Sequence, residues 1–120
     1  FTSGCILPDV IAASKIVEEE INKSVRIVNI STLKPIDIDI IIKCAKETNQ
    51  LYSIEDHSII GGLGTAISEV LTDHFPKKLQ RLGLRDQFPE SAPPKDLYEK
   101  YGLSANKISN YIINTESNKN

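Results

Sequence analysis

The sequence has little of what marks a secreted, membrane-spanning or redox-active protein. It contains two cysteines, Cys5 and Cys44, which lie far apart and outside any Cys-x-x-Cys pair, so neither a disulfide framework nor a zinc site is indicated. No apolar run approaches the roughly 18 residues that a membrane-spanning helix needs. Pro8 and Asp9 interrupt the apolar opening, and no basic segment precedes it. We therefore expect no signal peptide, and a cytoplasmic protein with free thiols.

An excess of charge of one sign is also missing. The 14 Lys and Arg residues and the 16 Asp and Glu residues leave a formal net charge of −2, and the basic residues are scattered. Nucleic acid and membrane surfaces are therefore not expected partners. The apolar share of 40% and the charged share of 25% are those of an ordinary globular protein, and 120 residues fit one domain with its own core.

The most informative stretch runs from Leu51 to Phe75. It begins with a short apolar run, Leu51 to Ile54, which is too brief for a helix and rich in strand-forming residues. A polar turn and a glycine cluster follow. The apolar residues between Leu63 and Leu71 then recur at helical spacing. A strand that passes through glycines into a helix is the repeating step of a parallel α/β sheet.

The rest of the chain repeats this step. Strands are predicted at 25–30 and 80–84, and Phe1 to Gly4 are predicted to be the tail end of a first strand. Residues 36–40 alternate as a strand would, but the helix-forming run through Glu47 favours a helix. The further predicted helices are 8–21, 95–101 and 104–113. The pattern predicts an α/β fold with three layers, α/β/α, around a mostly parallel sheet of about four to five strands.

The GGLG cluster of residues 61–64 allows two interpretations. Glycines between a strand and a helix let backbone amides approach a phosphate, and the helix dipole favours an anion there. However, Ile67 stands where G-x-G-x-x-G needs its third glycine, and Thr65 and Ala66 stand where a P-loop needs lysine and a hydroxyl. The alternative is that the glycines permit a tight turn and close packing of the helix against the sheet.

Two further polar segments follow predicted strands. Glu55, Asp56 and His57 form a predicted turn at the carboxyl end of a strand, where open α/β sheets usually place their ligands. The other histidine, His74, lies at the far end of the next helix, so a shared metal site is not indicated. We expect hydrogen-bonding or interface contacts from this turn. The loop after the last strand is the second candidate interface, and its polar residues are Arg85, Asp86, Glu90 and Ser91.

Three segments, in order and at compatible spacing, resemble the C-terminal domain of transketolase-type thiamine diphosphate enzymes. They are VRIVNISTLKPID (25–37), IEDHSIIGGLGTAISEVL (54–71) and RLGLRDQFPESAPPKDLYEKYGLSANKI (81–108), preceded by the TSG turn of residues 2–4. The resemblance covers residues 1–114 and leaves 115–120 as a polar tail. It is strongest to transketolase itself, especially the kind split into two polypeptides. Deoxyxylulose-phosphate synthase and 2-oxoacid dehydrogenase subunits share the domain in looser form.

The resemblance implies an enzyme that moves a two-carbon ketol unit between sugar phosphates, as in pentose phosphate metabolism, with thiamine diphosphate and magnesium. It implies that cofactor, metal and catalytic residues lie in two other domains, in the same or a separate chain, so none is expected here and the isolated chain is expected to be inactive. This domain is expected to support the pyrimidine-binding domain and a homodimer. The expected interface or anion-site residues are Glu55, Asp56, His57, Gly61, Gly62, Gly64, Arg85, Asp86, Glu90 and Ser91. The alternative is a free-standing module of the same fold that binds an anion, a nucleotide or a partner.

In the family that this sequence resembles, the domain begins with an edge strand and a full central strand before the Thr-Ser-Gly turn. Only Phe1 and Thr2 of that central strand stand here. We therefore expect the chain to be part of a longer polypeptide, because a parallel sheet without a central strand leaves backbone groups unpaired. If the chain is whole, a strand from another copy or a rearranged sheet is expected instead. A complete ladder on both sides of Val25–Ile30 within one chain would contradict this hypothesis.

Overall fold

The computed structural model describes residues 1–85 and 93–118. The chain has an α/β fold in which helices cover both faces of parallel strands. In chain order, its elements are a 3₁₀ helix (Gly4–Ile6), α1 (Leu7–Ile21), α2 (Ile38–Glu47), β1 (Leu51–Ser58), α3 (Leu63–His74), β2 (Leu79–Leu84), a second 3₁₀ helix (Lys95–Leu97) and α4 (Ala105–Ser117).

Two apolar cores lie on opposite sides of the strands. The core beneath α1 and α4 consists of Ile6, Val10, Ala13, Ile54, Leu82, Leu84, Tyr98, Leu103 and Ile108. The core beneath α2 and α3 consists of Ile30, Ile41, Cys44, Ala45, Leu51, Leu63, Ile67, Val70 and Leu71. The three-layer α/β/α prediction is therefore confirmed.

The sheet is smaller than predicted. Within the described residues it has two strands, β1 and β2, which pair in parallel from Leu51 opposite Leu79 to Ile54 opposite Leu82. The predicted strand at 25–30 contributes only one isolated bridge. It joins Asn29 to Thr2, and Thr2 in turn bridges to Ile54. Among residues 1–85 and 93–118, Thr2 is the residue through which the 25–30 segment is bridged to β1.

Strand β1 is longer than predicted, because it continues through Ser58. Its pairing with β2 shifts register beyond Ile54, and Ser58 then pairs with Leu84. The prediction of a turn at 55–57 was therefore wrong: Glu55, Asp56 and His57 lie within the last part of a strand. The cause is β2, which pairs with β1 again at Ser58, beyond the irregular stretch that contains residues 55–57.

Helix capping follows the sequence closely. Asp37 Oδ1 accepts a hydrogen bond from Ile40 N at 3.2 Å and begins α2, which excludes a strand at 36–40. Ser104 Oγ accepts one from Lys107 N at 3.3 Å and begins α4. Helix α4 is longer than predicted, since it runs through Ser117 into the residues expected to form a polar tail. At 95–101 only a 3₁₀ helix forms, rather than the predicted helix.

A cavity of about 750 Å³, here called the N-terminal slot, separates the 25–28 segment from residues 50–52 of the chain. Phe1 lies in its lining and is held in strand register with both sides. Phe1 O accepts a hydrogen bond from Ile54 N at 2.9 Å, and Thr2 N donates one to Val28 O at 3.0 Å. The slot therefore lies in line with the Phe1–Thr2 backbone, between the 25–28 segment and residues 50–52, which both run parallel to that backbone.

The amino terminus in this slot predicts a pH dependence of stability. The Phe1 ammonium donates a hydrogen bond to Tyr52 O at 2.7 Å, and burial lowers its pKa from 8.0 to about 6. Between pH 6 and pH 8 the Phe1 amine of the unfolded chain binds a proton that the amine of the folded chain does not. The stability that the uncharged amine contributes is therefore complete above pH 8 and is lost as the pH drops to 6. We expect the free energy of unfolding of the 120-residue chain to fall by about 2 to 3 kcal/mol over this window.

Urea unfolding at pH 8 and pH 6 measures this change. Acetylation of the Phe1 amine is the control, because it removes the titrating group and leaves the two histidines in place. A chain whose pH dependence is the same with and without the acetyl group would contradict the prediction.

Candidate functional site

The carboxylate of Glu55 caps helix α3 from inside the fold. Glu55 lies in the last part of β1 and is 2% exposed. Its Oε2 accepts a hydrogen bond from Leu63 N at 2.8 Å, and its Oε1 accepts one from Gly64 N at 3.1 Å. These amides belong to the first turn of α3, where the helix dipole favours negative charge. The positive end of α3 is therefore occupied by an internal anion.

The glycines beside Glu55 make this close approach possible. A Cβ atom on Gly62 would overlap Glu55 Oε2 and would lie 2.9 Å from the Ser58 carbonyl oxygen. A Cβ atom on Gly64 would lie 2.8 Å from Ser53 Oγ. Close packing of the helix against the strand thus accounts for both positions. An external anion would have to displace Glu55 from the same two amides, so an anion site at the GGLG cluster stays a prediction.

Side-chain hydroxyls hold the turn between β1 and α3. Ile60 N donates a hydrogen bond to Ser58 Oγ at 3.2 Å, and Gly61 N donates one to Thr65 Oγ1 at 3.1 Å. The Thr65 hydroxyl donates in turn to Ile59 O at 3.1 Å. Gly61 has a φ of +76°, a left-handed conformation that glycine adopts without a steric penalty. This segment is therefore a defined turn with a fixed backbone.

Asp56 is the second buried carboxylate of the site. It is 2% exposed, and its Oδ2 accepts a hydrogen bond from Tyr98 Oη at 2.7 Å. Burial, followed by the hydrogen bond to Asp56, raises the pKa of Tyr98 well above its ordinary value, so the hydroxyl remains a donor. Asp56 Oδ1 lies 3.1 Å from His57 Nδ1 but accepts no hydrogen bond from the described residues. Tyr98, Asp56 and His57 thus form a chain of contacts that leads from the core to the surface.

Removing the Tyr98 hydroxyl tests this arrangement. Tyr98→Phe keeps the ring in the core but leaves a buried carboxylate without its donor, so we expect the free energy of unfolding to fall by about 2 kcal/mol. Tyr111→Phe, which removes a half-buried hydroxyl that donates to the neutral side chain of Gln80, is the matched control. Chemical denaturation of both variants gives the comparison, and an equal effect of the two would show that the Tyr98–Asp56 hydrogen bond adds no specific stability.

The predicted site residues fall into two groups. Glu55, Asp56 and the glycines come together at the carboxyl end of β1, while Arg85 is exposed just after β2. Asp86, Glu90 and Ser91, also predicted interface residues, lie outside the described residues. Tyr98 was missed, because it stands far from β1 in the sequence and no local pattern marks it as a partner of Asp56.

The residues of this site do not fit thiamine diphosphate with a divalent metal. Within residues 1–85 and 93–118, no three His, Cys, Asp or Glu side chains are grouped so that they could hold a metal ion. The amides that could receive a diphosphate at α3 are bound to Glu55. No step of cofactor chemistry is therefore assigned to this chain.

In the described ranges, no helix is long and apolar enough to cross a membrane.

The model of the transketolase C-terminal domain family matches residues 1–108. The chain belongs to this family. It is 39% identical over 112 residues to a protein of Methanocaldococcus jannaschii described as a transketolase C-terminal section. The aligned region covers 92% of this chain and 34% of that protein. It is 33% identical over 115 residues to the 1-deoxy-D-xylulose-5-phosphate synthase of Syntrophotalea carbinolica. The aligned region covers 95% of this chain and 18% of that enzyme.

A solved structure shows the same fold. It is a split gene transketolase in the form of an inactive β4 tetramer, with a TM-score of 0.79 and 35% sequence identity, and the match covers 90% of this chain and 34% of that one. The transketolase C-terminal domain fold predicted from the sequence is therefore confirmed. The chain spans between 18% and 34% of the length of these relatives.

Proposed function

We propose that this chain is the C-terminal section of a transketolase-type enzyme that moves a two-carbon ketol unit between sugar phosphates. The family match over residues 1–108 carries this proposal, supported by the relative described as a transketolase C-terminal section. Thiamine diphosphate and magnesium are held by other domains, in the same or a separate chain. This domain serves assembly and dimerisation, and its two free cysteines fit a cytoplasmic enzyme.

The test is purification of the protein from its source cells together with any associated chain. The recovered material is assayed for ketol transfer with thiamine diphosphate and magnesium. We expect activity in the complete assembly and none in the isolated 120-residue chain. A complete assembly that binds no thiamine diphosphate would contradict the proposal.

A second candidate is a 1-deoxy-D-xylulose-5-phosphate synthase, favoured by the 33% identity over 95% of the chain. The two activities differ in their products, so one assay separates them. Formation of 1-deoxy-D-xylulose 5-phosphate without ketol transfer between sugar phosphates would select this candidate. The free-standing anion-binding module has less support, because Glu55 already occupies the amides at the start of α3.

We also propose that residues 1–114 form one domain whose sheet is completed by a strand that precedes Phe1 and fills the N-terminal slot. The strand register of Phe1 and Thr2 and the slot of about 750 Å³ beyond them support this. Extending the chain upstream with the natural coding sequence is expected to raise its stability and to remove the pH dependence of the Phe1 amine. An extension that leaves both unchanged would contradict the proposal.

A further inference from the structure

The N-terminal slot is a gap one strand wide between the 25–28 segment and residues 50–52. At its carboxyl end the width is fixed by Thr2, which bridges to Asn29 on one side and to Ile54 on the other. Neighbouring strands lie about 4.8 Å apart, so two parallel segments with one strand between them are about 10 Å apart. At the amino end, among the residues that the structure describes, no backbone hydrogen bond joins the two walls directly. Something other than strand pairing therefore sets the width there.

The apolar lining of the slot favours its closure. It includes side chains of α1, of α4 and of the 25–28 segment, namely Val10, Val17, Ile21, Ile27 and Ile112. Bringing such side chains together removes apolar area from water, which is favourable. A gap of about 750 Å³ between these walls is therefore kept open by contacts that hold the walls at a fixed separation.

The carboxylate of Glu116, in the last turn of α4, joins the two walls. Its Oε2 accepts a hydrogen bond at 3.0 Å from Lys23 Nζ, just before the 25–30 segment, and its Oε1 accepts one at 3.0 Å from Tyr52 Oη of β1. The side chain of Glu116 is 10% exposed. Burial, followed by the hydrogen bond to Glu116, raises the pKa of Tyr52 above its ordinary value, so its hydroxyl remains a donor. A nearly buried carboxylate thus has one oxygen bound to each wall of the slot.

Tyr111 fixes the end of α4 over the two strands. Its ring packs edge-on against the ring of Tyr52, with centroids 6.4 Å apart, and its hydroxyl donates a hydrogen bond to Gln80 Oε1 of β2 at 3.0 Å. The end of α4 therefore cannot shift along β1 and β2 without breaking these contacts. Glu116 lies beyond residue 108, where the family match ends.

We propose that Glu116, with Lys23 and Tyr52, forms a clamp that holds the 25–30 segment one strand away from β1 and so keeps the N-terminal slot open. Thr2 sets the width at the carboxyl end, and this Glu116 clamp sets it at the amino end. The clamp prepares the slot for an extended backbone, because a strand that enters a gap of fixed width does not first have to separate its walls. The entering strand rests on the proposed function, whereas the clamp consists only of residues of this chain.

The test measures hydrogen exchange of Ile30 N, which donates to Thr2 O at 2.8 Å, in the complete protein. Glu116→Ala removes the clamp at the other end of the slot from this amide, and we expect exchange of Ile30 N to become about ten-fold faster. Glu47→Ala is the matched control, because the 3.1 Å ion pair between Glu47 and Arg26 joins the same segment to α2 rather than to β1. We expect this control to change the exchange less than about two-fold. Equal effects of the two variants would overturn the proposal.

Lys23→Ala and Tyr52→Phe separate a clamp from two independent contacts. The two residues lie on opposite walls, so losing either contact opens the clamp and losing the second adds little. We expect the double variant to exchange Ile30 N about as fast as the faster of the two single variants. In a Glu116→Ala background, each replacement is expected to change the exchange less than about two-fold. Multiplicative effects of Lys23→Ala and Tyr52→Phe would show two unrelated contacts and would overturn the proposal.

The outcome for the clamp can be told apart from the outcome for the proposed function. Hydrogen exchange does not depend on turnover, so a complete protein with the expected exchange of Ile30 N but no ketol transfer would contradict only the proposed function. A protein that transfers ketol units and exchanges Ile30 N equally fast with and without Glu116 would overturn only the clamp.

Discussion

Replacing Glu55 by glutamine is expected to lower the free energy of unfolding by about 3 kcal/mol. The carboxylate accepts one hydrogen bond on each oxygen, from Leu63 N and Gly64 N. A glutamine side chain has the same shape but only one acceptor oxygen, so its NH₂ group would face one of the two amides. A buried amide would then lose its acceptor, and the start of α3 would lose its compensating charge.

Glu69→Gln is the matched control for this experiment. Glu69 is exposed on the same helix, so its replacement removes the same charge without removing a buried hydrogen bond, and a change below about 0.5 kcal/mol is expected. If the unfolding free energy of both variants depends on urea concentration with the same slope, the difference between their midpoints reports a difference in stability. Similar midpoints for the two variants would show that the Glu55 cap contributes nothing beyond its charge.

A methyl group at Gly62 is expected to cost about 3 kcal/mol. The added Cβ would overlap Glu55 Oε2 and approach the Ser58 carbonyl oxygen to 2.9 Å. The carboxylate cannot move away without breaking its hydrogen bonds to the first turn of α3. Gly62→Ala therefore displaces the same cap that Glu55→Gln weakens, although it changes no charge.

Gly61→Ala and a double variant locate the cause of this loss. Gly61 has no atom within 4 Å of a built Cβ but has a φ of +76°, so its replacement is expected to cost only about 1 to 2 kcal/mol, from backbone strain. In a double-mutant cycle, Gly62→Ala is expected to cost at least about 1 kcal/mol less once Glu55 is alanine. Additive effects of Glu55→Ala and Gly62→Ala would contradict a direct clash between the two residues.

The helices could be predicted from the sequence because their signals are local. Asp37 and Ser104 begin α2 and α4 through hydrogen bonds to backbone amides three residues later. The apolar spacing from Leu63 to Leu71 likewise predicted α3, which spans Leu63–His74. A helix closes its hydrogen bonds within itself, so nearby residues carry most of the information about where it begins and ends.

The strands were harder to predict, because a strand exists only where another backbone pairs with it. VRIVNI has the composition of a buried strand, yet among the described residues it forms one bridge, between Asn29 and Thr2. The opposite error occurred at β1, where polar residues 55–57 were expected to form a turn. There β2 supplies the partner, and the strand continues through Ser58.

The location of the site could be predicted, but its internal contacts could not. The strand–glycine–helix pattern correctly indicated that Glu55, Asp56 and the glycines meet at the carboxyl end of one strand. That Glu55 turns inward to cap α3, and that Tyr98 reaches Asp56 across 42 positions of sequence, depends on how the helices pack over the sheet.

By itself, the sequence determined the α/β class of this protein, the order of its helices and its membership of the transketolase C-terminal domain family. Hydrophobic spacing, capping residues and motif order are properties of neighbouring residues, and they are preserved in the chain whatever surrounds it. Only the tertiary structure decided which backbones pair and which carboxylates are buried. Those outcomes depend on distant segments meeting, because desolvation and hydrogen-bond partners are set by the packed fold.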